Sequence, residues 1–413
     1  MRSSLKRAAA AVLAVVLAAS LCGCDRGSLM TVDGMEIRNG VYLSLMQTAY
    51  SMAGEELKKQ QDNETSDTTP DTPAGETSDT TSKESVPITK EEIDGKSGSQ
   101  WIKDETMKAV RRFVAVQRRC DELDITLSET EMNEINSNAN KVWDDKNDYV
   151  KYIYGYETLG EYYESRGIAK ESYREIQRVS ELQSKLFMHF YDKGGELEVK
   201  ESEINDYLKE NYASVKLLNI AYTDASGKEL EKDEDKKAVK DKAQALVDRL
   251  NKGDDPVEVF YDYRLEKAEE SAKAKAETDY KEDNEDKLTK EEWIKKQVEA
   301  ANIKKAESAD DLDQFISKES SGLDEKLTEY IFNASSDGKA TLFETEKVVY
   351  VVIKEDITKK AKWKEDNNQR ILMEIKSEDF QNMLDIFGQN YEVDADENLV
   401  NKKYGPERLN TTK

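Results

Sequence analysis

The side chains able to do covalent or proton-transfer chemistry are few in this chain. Its 413 residues include three cysteines and one histidine. Cys22 and Cys24 flank a glycine in "LCGC", Cys120 stands apart, and His189 lies alone in "KLFMHFYDK". Two cysteines so close could form a redox couple, part of a metal clip, or a processing site. Zinc wants four Cys or His ligands, and three Cys and one His are all that the whole chain offers. The many Asp and Glu residues run together with Lys, as solvated helix faces do, so no carboxylate pair stands out for acid–base work. No phosphate-cradling glycine loop or serine nucleophile motif is present. The sequence therefore predicts no metal and no cofactor.

What precedes "LCGC" bears on its chemistry. Arg2, Lys6 and Arg7 give a basic start, and Ala8 to Ala19 form an apolar core too short to span a membrane. That is the layout of a secretory signal. With Leu21 three places ahead and Gly23 directly before Cys24, the stretch resembles the lipobox of bacterial lipoproteins. The resemblance implies a cut after Gly23, loss of Cys22 with residues 1–23, and diacylglycerol on the Cys24 thiol. Two acyl chains at roughly 0.8 kcal/mol per buried methylene would hold the protein stably, at the extracytoplasmic face of the bacterial cell membrane. The plainer alternative is an ordinary cleaved signal with an incidental cysteine. Cys120 would then be the one free thiol, without an intramolecular disulfide. A formal net charge of -25 argues against nucleic acid and against flat docking on anionic lipid.

The elements that follow are predominantly helical. "TVDGMEI" turns at Asp33-Gly34 as a short hairpin, and Asn39 is placed to cap a helix with Val41, Leu45, Met46 and Ala49 on one face. Residues 60–98 shift to Thr, Ser, Asp, Glu and Pro, including Pro70, Pro73 and Pro87, which predicts a disordered acidic insertion. "WIKDETMKAVRRFVAVQRRCDEL" carries Met107, Val110, Phe113, Val114 and Gln117 on one side, with Cys120 at the edge of that packing. Ser128 to Glu131, "SETE", is a capping box. A long amphipathic helix follows and closes at Gly194-Gly195, and a short one reads "KESEINDYLKENY".

At Ala213 "ASVKLLNIAYTD" has the signature of a buried strand, followed by a helix ending at Gly253. "KATLFETEKVVYVVIKEDI" reads as two strands turning near Glu344 to Lys347. Between them, 265–307 is charged and Ala-rich and predicts one or two solvated helices. The segment after Trp363 is an amphipathic helix with Ile371, Leu372, Ile375, Phe380, Met383, Leu384 and Phe387. Its stripe is too apolar to stand alone. The expected plan is mostly α with an inserted small α+β module: a helical part over 24–212, the module over 213–358, and a C-terminal helix and tail over 359–413 that return to the helical part.

That plan, with "TVDGMEIRNGVYLSLM", "VKESEINDYLKENYASVKLLNIAY", "KAQALVDRLNKGDD" and "DGKATLFETEKVVYVVIK", resembles the SurA and PrsA group of exported foldases. The first stretch is similar to the family's "VNG-x-x-I" hairpin and first helix. The second is similar to the short helix that enters a parvulin-type peptidyl-prolyl isomerase domain. The resemblance implies a chaperone domain cradling unfolded or newly secreted proteins, with client contacts expected at Phe113, Phe187 and Phe380. As ordinary core, the same three aromatics need no client. It also implies a pocket supported by two histidines, where this chain has Asn219 and Val351. The one histidine, His189, precedes the module, where a structural or surface role is expected. The family's glycine-rich loop is missing as well. The expected function is a membrane-anchored chaperone with an inactive isomerase module. A working isomerase is the alternative. A solute-binding lipoprotein ranks last, because such proteins show two α/β lobes and here one is visible.

Overall fold

The structure is a computed structural model that describes residues 27–66, 86–282 and 288–410. The expected signal over 1–23, the Cys24 position and residues 67–85 of the acidic insertion lie outside the described residues. The chain is mostly α-helical with small sheets. It divides into two compact units, one formed by residues up to Glu198 together with those from Lys376 onward, the other by Val199–Ile375.

In the first unit, strands β1 (Ser28–Val32) and β2 (Met35–Arg38) form the expected hairpin. Asp33 and Gly34 take φ of 49° and 72°, the left-handed pair that a two-residue hairpin turn requires. The far edge of β1 is covered by β9 (Val393–Ala395), pairing from Met30↔Ala395 to Val32↔Val393. Both ends of the unit thus share one three-stranded sheet. Helix α1 (Asn39–Ser66) begins at Asn39 itself and buries Val41, Tyr42, Met46 and Ala49, while Leu45 is only half-buried.

The stretch 86–98 corrects the expectation of disorder. A 3₁₀ turn (Ile88–Lys90) leads into β3 (Glu92–Ile93) and β4 (Lys96–Ser97), which pair antiparallel around Asp94-Gly95 at φ of 50° and 74°. Thr89 and Ile93 are buried. This is the same Asp-Gly signal as in the first hairpin, hidden by the acidic composition around it. Ser97 then caps α2 (Gly98–Glu122) by accepting from the Gln100 amide at 3.3 Å. Helix α2 buries Ile102, Thr106, Val110, Phe113, Val114, Gln117 and Cys120. Helix α3 (Glu129–Asp144) opens on the predicted capping box of Ser128 and Glu131. Two short helices, α4 (Asp148–Tyr154) and α5 (Leu159–Ser165), precede the long α6 (Lys170–Tyr191).

The second unit starts earlier than the strand signature suggests. Helix α7 (Glu201–Asn211) runs straight into β5 (Tyr212–Ala221), and Leu208 packs with Tyr212, Ile357 and Ile371. Those contacts assign α7, and the C-terminal segment as far as Ile375, to this unit. The sheet has the order β6-β5-β8-β7, every pair antiparallel, from β6 (Gln314–Ser317), β7 (Ala340–Glu344) and β8 (Val348–Glu355). On one face Leu218, Ile220, Val349, Val351 and Ile353 pack on α8 (Asp233–Asn251) and α9 (Pro256–Asp279). On the other, Ala213, Val215, Leu217 and Val352 meet Leu327 and Ile331 of α11 (Glu325–Asn333).

Helix α10 (Lys290–Ala300) buries no residue, as the charged segment predicts. Helix α9 reaches into that segment from upstream and within it buries Ala272 and Ala276. It starts at Pro256, capped by Asp255, and drives Val259, Phe260 and Tyr263 into the core. The expected single C-terminal helix is two, α12 (Ala361–Asp366) and α13 (Asn368–Gly388). Helix α13 ends at the expected glycine.

Near one end of the sheet lies a closed ring of four charges. Lys216 Nζ reaches Asp313 at 2.6 Å and Glu355 at 2.8 Å, and Lys360 reaches Asp313 at 2.6 Å and also Glu355. Lys216 is 1% and Asp313 3% exposed, so neither can fall back on water. Burial opposes ionisation of Glu355, but the bonds from Lys216 and Lys360 outweigh it and hold its carboxyl below the ordinary range. Burial likewise opposes charge on Lys360, and its bonds to Asp313 and Glu355 raise its pKa.

Removing one member of this ring strands a buried charge. Lys216→Met is expected to cost about 3–5 kcal/mol, read as a lower urea midpoint. The pH dependence follows from the two shifts. The Glu355 contribution is present above the ordinary carboxylate value of about 4.3 and is lost as pH falls through its lower folded value. The Lys360 contribution is present below about 10.4 and is lost as pH rises through its higher folded value. Stability is therefore expected to hold level between and fall at both ends. In the first unit, a Cβ at Gly98 would overlap the Ile88 carbonyl oxygen. Gly98→Ala should destabilise by about 1–3 kcal/mol despite its better helix propensity, measured by the same urea unfolding.

Candidate functional site

The residues expected to carry function fall in different surroundings. In the first unit Phe113, Phe187 and Phe380 are all buried, Phe187 at 1% and Phe380 at 2% exposure. The Phe187 ring, on α6, meets Phe380, on α13, edge to face at 5.3 Å, and Tyr191 lies 4.9 Å from Phe187. These three phenylalanines are core, so the expectation of client contact at their rings is corrected. Cys120 is also buried, and its thiol approaches the Leu182 carbonyl at 3.6 Å. Burial pushes that thiol up to about 11, so it is no nucleophile. His189 is exposed on α6.

The aromatic surface of this unit lies elsewhere. On α4, Tyr149, Tyr152, Ile153 and Tyr154 are exposed, Tyr152 at 86%. Asn147 caps this helix by accepting from the Tyr149 and Val150 amides, and Gly155 ends it at φ 77°. Tyr154 stacks on Tyr162 at 4.4 Å, and Tyr162, Tyr163, Trp143 and Tyr173 continue inward as linked rings. An exposed tyrosine surface supported by buried rings suits contact with other chains, since each ring offers large area at small entropic cost. The sequence "DYVKYIYGY" carries that signal in its tyrosine density, which a search for amphipathic stripes passes over.

In the second unit the two positions matched to the family's histidines do not face each other. Asn219 is exposed and pairs with Tyr350, whereas Val351 is fully buried and pairs with Leu218. Successive residues of a strand point to opposite faces. Val351 therefore belongs to the core against α8 and α9, and the neighbour of Asn219 is Tyr350. Phe343 of β7 pairs with Tyr350 in turn. Asn219, Tyr350 and Phe343 form one row across three strands.

Helix α11 borders this row. Tyr330 lies 4.8 Å ring to ring from Phe343, and its hydroxyl bonds Thr341 Oγ1 at 2.8 Å. Asp324 caps α11 through the Lys326 and Leu327 amides. At the other end Lys354 Nζ donates to the Phe332 and Ala334 carbonyls at 3.1 and 2.9 Å. That cation neutralises the negative end of the helix. Burial, and secondarily the Asp324 carboxylate, raises the Tyr350 pKa. The row thus offers an amide, two phenols and an aromatic wall. Its three residues include no histidine, thiol or carboxylate, and Phe343 and Tyr350 are partly buried against the core under α11. Among the described residues no group of three or more His, Cys, Asp or Glu is placed to hold a metal ion, and no helix is long and apolar enough to cross a membrane.

No family model and no curated protein matches the chain. Among solved structures it is similar to the crystal structure of foldase protein PrsA from Streptococcus pneumoniae str. Canada MDR_19A. The identity is 12%, over 72% of this chain and 91% of that chain, with a TM-score of 0.28.

The contrast between buried and exposed rings is measurable. Phe187→Ala should cost about 3–5 kcal/mol of stability, and Tyr152→Ala should stay within about 0.5 kcal/mol. Equal and small effects in urea unfolding would contradict the placement of Phe187.

Proposed function

We propose that this protein is a membrane-anchored extracytoplasmic chaperone that holds unfolded or newly secreted chains, with an isomerase-like module that has no catalytic centre. The observation that carries the reading is the row Asn219, Tyr350 and Phe343: a bordered aromatic surface with neutral hydrogen-bonding groups and nothing that titrates near neutrality. The order of elements in the second unit supports it. A short helix enters the first strand, a helix closes at Gly253, and a Gly338 turn precedes Thr341 and the β8 strand, in the order the resemblance implies. The exposed tyrosines of α4 supply the surface for clients in the helical unit. The lipobox-like "LCGC" supplies the anchor at Cys24 and the location.

A second reading is favoured by the aromatic wall itself. Twisting an X-Pro bond must overcome a barrier of roughly 18–20 kcal/mol set by amide resonance, and a shaped apolar pocket can lower it without a nucleophile. Phe343 and Tyr330 could form such a pocket.

A pair of assays on the chain from Asp25 onward separates the two. Suppression of aggregation of a denatured exported client at several-fold molar excess is expected, with no acceleration of proline-limited refolding. Replacing Tyr149, Tyr152 and Tyr154 together by serine should at least double the amount of protein needed for the same suppression. Saturable catalysis of refolding would establish the second reading. Silence in both assays would overturn both.

A further inference from the structure

We propose that the free edge of β5 captures an extended acidic peptide as an added strand beside β6. Strand β5 pairs with β8 from Ser214 to Ala221, but β6 covers its other edge only from Tyr212 to Val215. The direction of its backbone groups follows from two bonds. The Tyr222 amide donates to the Lys347 carbonyl on the β8 side, and the Asn211 carbonyl accepts from Lys318 on the β6 side. Backbone groups alternate between edges along a strand, so even-numbered residues serve β8 and odd-numbered ones serve the β6 edge. Leu217, Asn219 and Ala221 therefore aim N–H and C=O at a side where, among the described residues, no strand pairs with them. Their repeat of about 6.8 Å is that of an added strand.

Space and charge select the occupant. A groove of about 590 Å³ runs along this edge, walled by α9 and by the segment at Ile303. Its charged lining residues are Arg264 and Lys267, and none is acidic. Lys267 reaches Glu270 at 2.7 Å, whereas Arg264 has no ion-pair partner among the described residues. In a chain of net charge -25, a groove with a basic wall beside three open backbone pairs fits a peptide whose side chains alternate between acidic and apolar. The inference rests on the strand edge and its wall alone, so silence in the aggregation assay leaves it standing.

The test is fluorescence anisotropy with the full chain in detergent and a labelled, end-blocked heptapeptide alternating Glu and Val. Saturable binding is expected. It should weaken tenfold or more when Lys replaces Glu in the peptide, and likewise in Arg264→Glu/Lys267→Glu protein. Peptides N-methylated at every Val or at every Glu each lose one hydrogen-bonding edge, and at least one of them should bind tenfold more weakly. Ala221→Pro removes an edge donor that has no strand partner, and should weaken binding while leaving the thermal melt intact. If that variant fails to fold, the methylated peptides and the charge-reversed protein decide alone. Equal affinity for acidic and basic peptides, or undiminished binding of both methylated ones, would overturn the proposal. So would self-association of the chain that the peptide competes with, since a second copy would then be the occupant.

Discussion

The second unit depends on one constraint, the strict alternation of β5 between two neighbours and two helical layers. Eight consecutive pairs fix it to β8, and a slip of one residue would turn Leu218 and Ile220 out of the core. The charge ring sits where this alternation changes partner. Val215 makes the last pair with β6 at Gln314, and the next residue, Lys216, holds Asp313, the residue before Gln314. Lys216 and Glu355 are diagonal neighbours on one face of the β5–β8 ladder, and Lys360 closes the ring from the following turn. The ion pairs thus pin the chain where β6 begins its pairing with β5. They also mark where the free edge starts.

Much of this fold is legible in the amino-acid order. Asp33-Gly34 and the Ser128–Glu131 capping box declare themselves because their chemistry is local: a positive φ and a pair of reciprocal hydrogen bonds. The strands at Tyr212 and Val348 declare themselves by β-forming residues. Their register does not. "VVYVVIK" is apolar or aromatic at nearly every position because β8 is covered on both faces, so the period of two that would separate Tyr350 from Val351 is invisible in the sequence. The resemblance matches Val351 to a family histidine, and the ladder places Tyr350 opposite Asn219. The hairpin at Asp94-Gly95 is hidden for a different reason: its few buried residues, Thr89 and Ile93, lie in a composition that reads as disorder. Strand β6 and helix α11 are hidden because each shows only a few apolar residues between charged neighbours.

The first unit illustrates how little of a helical core is announced by aromatic content alone. Phe187 and Phe380 lie far apart in sequence and meet edge to face, whereas the tyrosines of α4 crowd one short stretch and remain outside. Burial is decided by which helices pack together, and that information is non-local. The closure of the unit is non-local as well: β9 returns to β1, and Asn410 Nδ2 donates to Thr89 Oγ1 at 2.6 Å. The helical core is therefore complete only when both of its sequence segments are present, although the whole second unit intervenes between them along the chain.

The neutrality of the sheet row has a physical consequence of its own. A linked pair of imidazoles would change charge between about pH 5 and 8. Asn219 does not titrate, and Tyr350, with its pKa raised by burial, stays neutral across that range. The hydrogen-bonding groups of this row, like the backbone groups along the adjoining edge of β5, therefore stay the same across that range. The Lys216 and Glu355 side chains stand on the opposite face of this ladder, in the ring that Asp313 and Lys360 close. Buried structural charge and the neutral row thus occupy opposite faces of one small sheet.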